Sequence, residues 1–283
     1  MRRTGLYNVV FPIVLLVVAS TGCAVRRPLR SMDPKPVLIH LPGIAGDNVF
    51  ERAYLRALRD GGLDAEPRLY DWTRRQFLIS NLRAYDHNRA RARELARQIA
   101  DLRAAQPHRP ILLTCDSGGA GPTVWALEAL PPDVHVDGVV LVAPALSADY
   151  DLSAALSRVR GRMVAFTSPG DLLILDWGTR VFGTIDGKRV PAAGRGGFVK
   201  PPTADDDQYD KLVQMPYRAA WFGRYGHWGG HVGAMNPRFA SGLLAPLLAD
   251  LALGAAPDQP AEVVRLAAEQ FEAGVPSATE DQR

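Results

Sequence analysis

The sequence predicts an α/β fold in which a mostly parallel sheet of about six strands carries helices on both faces. Apolar runs of strand length alternate with helical patterns from residue 35 onward. The strand runs are apolar nearly throughout rather than at every second residue, which is typical of parallel strands covered on both sides. The chain has 283 residues, of which 47% are hydrophobic and 22% charged, so it is long and apolar enough for one sizeable core.

The order of these runs along the chain predicts each element of the fold. Strands are predicted at 36–41, 67–72, 111–116, 136–143, 163–167 and 211–215, and helices at 48–60, 86–105, 118–130 and 238–253. The folded domain is expected to span 35–253. Within it, the glycine-rich segment 177–210 is predicted to be an irregular excursion and a candidate lid. Residues 254–283 are predicted to form a surface helix at 260–273 and a flexible tail.

A secretory leader is predicted at residues 1–22. Two arginines precede an apolar run of 11 residues at 9–19, which is shorter than the about 20 residues that a membrane-spanning helix needs. The small residues before Cys23 resemble a bacterial lipoprotein signal, in which the cysteine is lipidated and becomes the mature N-terminus. We therefore expect an exported protein of the cell envelope, anchored to the membrane through Cys23 and a tether at 23–34. If the leader is instead an ordinary cleaved signal peptide without lipidation, we expect the protein to be periplasmic or secreted.

Composition argues against several classes of partner and cofactor. The net charge is only +3, and the basic residues do not gather into a stripe, so a nucleic-acid partner is not expected. His227 and His231 are separated by glycines that disfavour a shared helix face, and no third ligand is evident, so no metal is expected. There is no phosphate-binding glycine loop, and we expect no cofactor. If Cys23 carries lipid, Cys115 is a free buried thiol.

A candidate nucleophile lies where the third predicted strand ends. The strand 111–116 runs directly into Ser117, Gly118 and Gly119 and then into a predicted helix. A nucleophile elbow needs this arrangement, because the turn is so sharp that the residues around the serine must be small. Cys115 stands where the elbow pattern has its first glycine. The competing interpretation is that Ser117 only caps the helix.

A glycine turn follows the first predicted strand. Ligands of parallel sheets bind beyond the carboxyl ends of the strands, so this turn and the elbow are expected at the same edge. We predict that the backbone N–H groups of Ile44 and Gly118, with Gly43 in the turn, form an oxyanion hole.

A serine hydrolase also needs an imidazole base and a carboxylate that orients it. The preferred base is His231, on a glycine-rich loop after the last strand, and the alternate is His227. The preferred acid is Asp171, in the turn after the strand 163–167, with Asp149 as the fallback.

Taken together, these motifs resemble the α/β-hydrolase superfamily over residues 35–253. The matching residues are His40-Leu41-Pro42-Gly43, Cys115-Asp116-Ser117-Gly118-Gly119, Asp171 and Gly230-His231. The resemblance implies acyl transfer to water with Ser117 as nucleophile, Asp171 as acid and His231 as base. The expected substrate is a small-molecule ester or a lipid-like ester.

Two other functions fit the same residues. Asp116 matches the superfamily's aspartate-nucleophile version, which attacks a carbon centre and forms an ester that water then hydrolyses. The second alternative is a catalytically inactive hydrolase fold that serves as a binding or envelope scaffold protein, because fold alone does not fix function. We call residues 226–233, which contain His227 and His231, the base loop. Aromatic residues in or near it would line an acyl pocket or, for at least half of them, belong to the core. They are Trp221, Phe222, Tyr225 and Trp228.

Overall fold

The computed structural model describes residues 34–74, 78–168, 183–230 and 233–254. The predicted leader, almost all of the tether and the C-terminal tail lie outside these residues. So do three of the predicted functional residues, Cys23, Asp171 and His231.

Six parallel strands form one sheet in the order β2-β1-β3-β4-β5-β6. They are β1 (Val37–Leu41), β2 (Glu66–Leu69), β3 (Ile111–Asp116), β4 (Gly138–Val142), β5 (Met163–Thr167) and β6 (Leu212–Pro216). This confirms the predicted α/β fold. Every pairing among the described strands is parallel, so all carboxyl ends lie at one edge.

Helices connect the strands. They are α1 (Val49–Asp60), α2 (Leu78–Arg83), α3 (Tyr85–Ala105), α4 (Ala120–Glu128), α5 (Ser153–Leu156), α6 (Ala193–Gly196), α7 (Asp206–Tyr209), α8 (Ala220–Tyr225), α9 (Pro237–Phe239) and α10 (Ala245–Ala252). Short 3₁₀ turns occupy Ser117–Gly119 and Gly233–Met235, and a π-helical turn at Ala240–Leu244 joins α9 to α10. No helix in the described ranges combines the length and apolarity needed to cross a bilayer.

Alternate residues of the strands pack into two cores, one on each face of the sheet. Ile39 and Leu113 belong to the core that contains residues of α3 and α4. Leu38 and Leu112, their neighbours in the strands, belong to the core that contains residues of α1 and α10. Because both faces are covered, the exposed carboxyl edge is where a ligand of this sheet binds.

The described part of the glycine-rich excursion packs onto the domain. The Ile185 side chain is fully buried, and its backbone N–H donates to the Ala145 carbonyl oxygen at 3.0 Å. A Cβ atom built on Gly121, in the first turn of α4, would lie 2.8 Å from Ile185 carbon atoms. This part of the excursion therefore lies against the helix that follows the elbow. A role as lid stays a prediction.

Candidate active site

Ser117 has the backbone of a nucleophile elbow. It follows β3 directly and has a φ of +47°, a left-handed conformation that non-glycine residues rarely adopt and that clusters at functional sites. The chain then turns through Ser117–Gly119 into α4. This strained strand-to-helix turn is the one that presents a nucleophile at the carboxyl edge of a parallel sheet.

The small residues around Ser117 are required by close backbone contacts. A Cβ atom on Gly119 would lie 2.5 Å from the Leu41 carbonyl oxygen and 2.7 Å from that of Pro42. Position 115 tolerates a side chain because the side chain points into the core. Cys115 is fully buried there and interacts with Thr123 of α4. The departure from the glycine of the elbow pattern is thus accommodated by the core.

The turn after β1 lies against the elbow, as predicted. We call residues 42–46 the oxyanion turn; it is closed by a 3.0 Å hydrogen bond from the Gly46 N–H to the Gly43 carbonyl oxygen. A Cβ atom on Gly43 would lie 3.5 Å from Ser117 Cβ, and one on Gly118 would lie 3.6 Å from the Ile44 nitrogen. The structure therefore brings all three residues predicted for the oxyanion hole close to Ser117.

Side chains on the far side of the oxyanion turn hold its carbonyl groups. The indole Nε1–H of Trp72 donates to the Pro42 oxygen at 2.7 Å, and the Asn81 amide donates to the Ile44 oxygen at 3.0 Å. Trp72 and Asn81 are both buried. Because its carbonyls are held in this way, the turn has a fixed orientation toward the elbow.

His227, the alternate base, is buried within the base loop. Its side chain is buried, and Nδ1 accepts a 3.0 Å hydrogen bond from the Gly229 N–H. The imidazole packs against the rings of Tyr217 and Phe239, and burial lowers the pKa of His227 to about 4. A triad imidazole must donate from Nδ1 to its carboxylate. Nδ1 of His227 instead accepts the Gly229 N–H, so His227 does not have the hydrogen-bonding pattern of a triad base in this structure.

The segment that leads to Asp171 meets the base loop. The Ser168 hydroxyl, directly after β5, donates to the Gly229 carbonyl oxygen. The fallback acid, Asp149, instead forms an exposed ion pair with Lys188 at 2.9 Å. Asp149 thus already has a basic partner at the surface, and Asp171 lies outside the described residues.

The four aromatic residues near the base loop divide into core and surface. Trp221 is buried among Phe166, Phe239 and His227. Phe222 and Trp228 are 64% and 60% exposed. Tyr225 is partly buried against the core. Trp221 therefore belongs to the core, and Phe222 and Trp228 are the two that are free to contact an apolar substrate.

The sequence patterns do not reveal a buried ionisable cluster beside the elbow. His40 of β1, Glu51 of α1 and Asp116 of β3 offer a nitrogen and two carboxylate oxygens that lie within 4.8 Å of one another. Residue 116 is next to the nucleophile in the chain. The one available signal is that Glu51 shares the buried face of α1 with Tyr54 and Leu58, where an unpaired carboxylate would be costly.

Comparison with known proteins adds little to this picture. No protein-family model matches the chain, and no curated protein sequence matches it. Among solved structures, the chain is similar to a novel cutinase-like protein from Cryptococcus sp.. That similarity has 16% sequence identity and a TM-score of 0.41, and it covers 78% of this chain and 96% of the other. The match is too distant to carry a conclusion about activity.

Proposed function

We propose that this protein is a serine hydrolase that cleaves a carboxylic ester through an acyl-enzyme on Ser117. The observation that carries the proposal is the left-handed backbone of Ser117 between β3 and α4, with Gly43 and Ile44 packed against it. Such strain is retained where a surrounding site uses it. A serine that only capped the helix would not need it.

Each step of the reaction has a residue in the proposed site. Ser117 Oγ attacks the ester carbonyl carbon, and the His231 imidazole accepts its proton. The Asp171 carboxylate accepts a hydrogen bond from the other ring nitrogen and stabilises the imidazolium. The N–H groups of Ile44 and Gly118 donate to the oxyanion. The alcohol leaves with the proton from His231, and a water activated by the same imidazole then releases the acid.

The positions of the acid and the base are supported by sequence order and by the fold. Asp171 follows β5 in the chain and His231 follows β6, and both strands end on the side of the sheet where β3 leads into Ser117. The contact between Ser168 and Gly229 links the two segments a few residues before Asp171 and His231.

Labelling with a fluorophosphonate probe tests the nucleophile. The wild-type protein is expected to be labelled at Ser117, as located by peptide mass spectrometry, and to hydrolyse p-nitrophenyl esters. Ser117→Ala is expected to lose labelling and at least about 10³-fold in kcat/KM. Ser157→Ala is the matched control, because the Ser157 hydroxyl bonds only to near neighbours in the chain: it donates to the Ala154 oxygen at 2.7 Å and accepts from Arg158 at 3.2 Å. A folded wild-type protein that is neither labelled nor active would overturn the proposal and leave a binding or scaffold role.

A pair of asparagine variants tests the base. His231→Asn is expected to lower the rate of Ser117 labelling by at least about 10³-fold. His227→Asn places an amide oxygen where Nδ1 accepts the Gly229 N–H, so it preserves the loop and is expected to be labelled at close to the wild-type rate. The reverse pattern would assign the base to His227.

The proposed substrate is a small-molecule or lipid-like ester. Phe222 and Trp228 offer exposed apolar surface beside the base loop. Across p-nitrophenyl esters of rising chain length, Trp228→Ala is expected to raise KM for longer acyl chains while leaving acetate unchanged. Equal effects on all chain lengths would exclude Trp228 as an acyl contact.

We also propose that the protein is exported and held at the cell-envelope membrane by lipid on Cys23. The support is the leader and the small residues before Cys23. In the protein isolated from bacterial cells, mass spectrometry is expected to show a lipidated Cys23 as the N-terminus and a membrane-associated product. Cys23→Ser is expected to lose the lipid and enter the soluble fraction. An N-terminus that retains residue 1 would overturn the export proposal.

A further inference from the structure

The cluster of His40, Glu51 and Asp116 lies directly behind the proposed nucleophile and the oxyanion turn. His40 Nε2 and Glu51 Oε2 are 2.8 Å apart and buried. A carboxylate oxygen of Asp116 lies within 4.8 Å of one of Glu51, close enough for a shared proton, and the Asp116 carboxyl group interacts with the Gly43 N–H. A Cβ atom on Gly43 would lie 2.7 Å from Asp116 Oδ2, so the oxyanion turn approaches this carboxyl group as closely as a glycine allows.

Two carboxyl groups in hydrogen-bonding contact need a proton between them, because ionised carboxylates only accept. Asp116 Oδ1 is buried without a donor, and a proton on this carboxyl group that is donated to Glu51 would give it a partner. His40 Nε2 lies 2.8 Å from Glu51 Oε2 on the other side of the Glu51 carboxyl group. Burial, and next the charge of Glu51, raise the pKa of Asp116 well above its usual range.

We propose that Asp116 is a positioning residue that acts as the neutral acid: it donates a hydrogen bond to Glu51, accepts one from the Gly43 N–H, and so seats the oxyanion turn against Ser117. The inference rests on the proposed function of Ser117. A neutral group is required for a physical reason. An ionised carboxylate behind the oxyanion turn would oppose the negative charge that develops on the substrate oxygen, whereas the acid holds the turn without adding charge.

The other ionisable groups around Asp116 come from three elements of the fold. They are His40 on β1, Glu51 and Tyr54 on α1, and Cys115 in the same strand. Burial raises the pKa values of the Tyr54 phenol and the Cys115 thiol, so both stay uncharged through the assay range. A metal ion suits the cluster less well. If His40 bound a metal through Nε2, its ring proton would be on Nδ1, and Nδ1 is buried without a hydrogen-bond partner.

A neutral Asp116 also makes Asp116 a poor nucleophile, because a carboxylate attacks only in its ionised form. The same cluster therefore favours Ser117 over Asp116 in the chemical step. If Asp116 were nevertheless the nucleophile, Asp116→Asn would abolish activity and Ser117→Ala would retain it.

Kinetics of two substitutions test the role of Asp116. Asp116→Ala is expected to lower kcat by about 10- to 100-fold with little change in KM, because the oxyanion turn loses its support. Asp116→Asn, which is neutral and can both donate and accept, is expected to recover most of that loss. The wild type is expected to lose kcat on the alkaline side as Asp116 ionises, and Asp116→Asn should lack that decline. An Asn variant as impaired as the Ala variant, or an Ala variant with wild-type kcat, would overturn the inference.

Stability provides a second readout that does not depend on activity. A carboxyl group whose folded-state pKa is raised binds its proton more tightly when folded, so its contribution to stability is lost as pH rises. From about pH 4 upward, the unfolding free energy of the wild type relative to Asp116→Asn is therefore expected to fall. If this difference in unfolding free energy does not change with pH, the shared proton is overturned. It is also overturned if Zn²⁺ raises the Tm of the wild type and Asp116→Asn removes that rise. Failure of the proposed function alone would appear as an unlabelled Ser117 with this pH dependence intact.

Discussion

The carbonyl oxygen of Ser117 accepts a 3.0 Å hydrogen bond from the backbone N–H of Ala145. Ala145 lies in the connection after β4, which begins at Ala143 with a second left-handed non-glycine backbone, at φ +45°. A strained residue persists only where its surroundings over-determine it. The strain at Ser117 is thus held by the neighbouring strand connection on one side and by the oxyanion turn on the other.

Gly119→Ala is expected to destabilise the protein by about 1–3 kcal/mol, because the new Cβ would press on backbone oxygens at the end of β1. Urea unfolding followed by circular dichroism measures the change. Gly223→Ala in α8 is the control, since nothing lies within 4 Å of its Cβ position. An equal effect of the two substitutions would show that the contact at Gly119 does not matter.

Trp72→Phe removes the hydrogen bond to the Pro42 oxygen and leaves that buried carbonyl unpaired, at a cost of about 1–3 kcal/mol. Because the oxyanion turn loses an anchor, kcat/KM is expected to fall about tenfold as well. Trp125→Phe is the matched control: it loses a 3.0 Å hydrogen bond to the Tyr150 hydroxyl rather than to the turn. It should lose stability and keep its kcat/KM. A Trp72→Phe enzyme with wild-type kinetics would argue against an anchoring role.

The buried His227 makes stability depend on pH. Burial lowers its pKa to about 4 in the folded state, whereas the unfolded value is about 6.5. The unfolded chain binds the proton first, so the stabilising contribution is complete above about pH 6.5 and is lost as pH falls toward 4. Thermal unfolding between these pH values is expected to show a smaller decline in Tm for His227→Asn than for the wild type. Parallel curves would contradict a neutral, buried His227.

Cys115 is expected to be unreactive in the folded protein, because it is fully buried and burial raises the pKa of its thiol. In a Cys23→Ser background, a thiol-specific disulfide reagent should label Cys115 only after denaturation. Rapid labelling of the native protein would show that the elbow opens to solvent.

The sequence predicted the strands best where they are central and continuously apolar. The predicted strand 111–116 and the described β3 coincide, whereas the predicted strand 67–72 is reduced to Glu66–Leu69 at the sheet edge. An edge strand is half-exposed and has no continuous apolar run to mark its ends. The predicted helix 238–253 contains a π-helical turn at Ala240–Leu244. The sequence pattern did not predict this turn, because apolar spacing does not report which backbone hydrogen bonds form.

The candidate site was predictable to a different degree at each residue. The elbow at Ser117 and the turn at Gly43 and Ile44 follow from local patterns, since a sharp turn requires small residues wherever it occurs. The preference for His231 over His227 came from the glycines of their loop. The burial of His227 did not follow from sequence, because the rings of Tyr217 and Phe239 that pack against it come from separate segments.

The sequence by itself determined the alternation of strands and helices, the order of the proposed nucleophile, acid and base, and the residues of the elbow, because these depend on periodicity and on short-range steric limits. Only the tertiary structure decided which ionisable groups share an environment. Asp116 and Glu51 are 65 positions apart in the chain, yet their carboxylate oxygens lie within 4.8 Å of each other, beside the proposed nucleophile. Protonation there depends on distance and burial, and folding sets both.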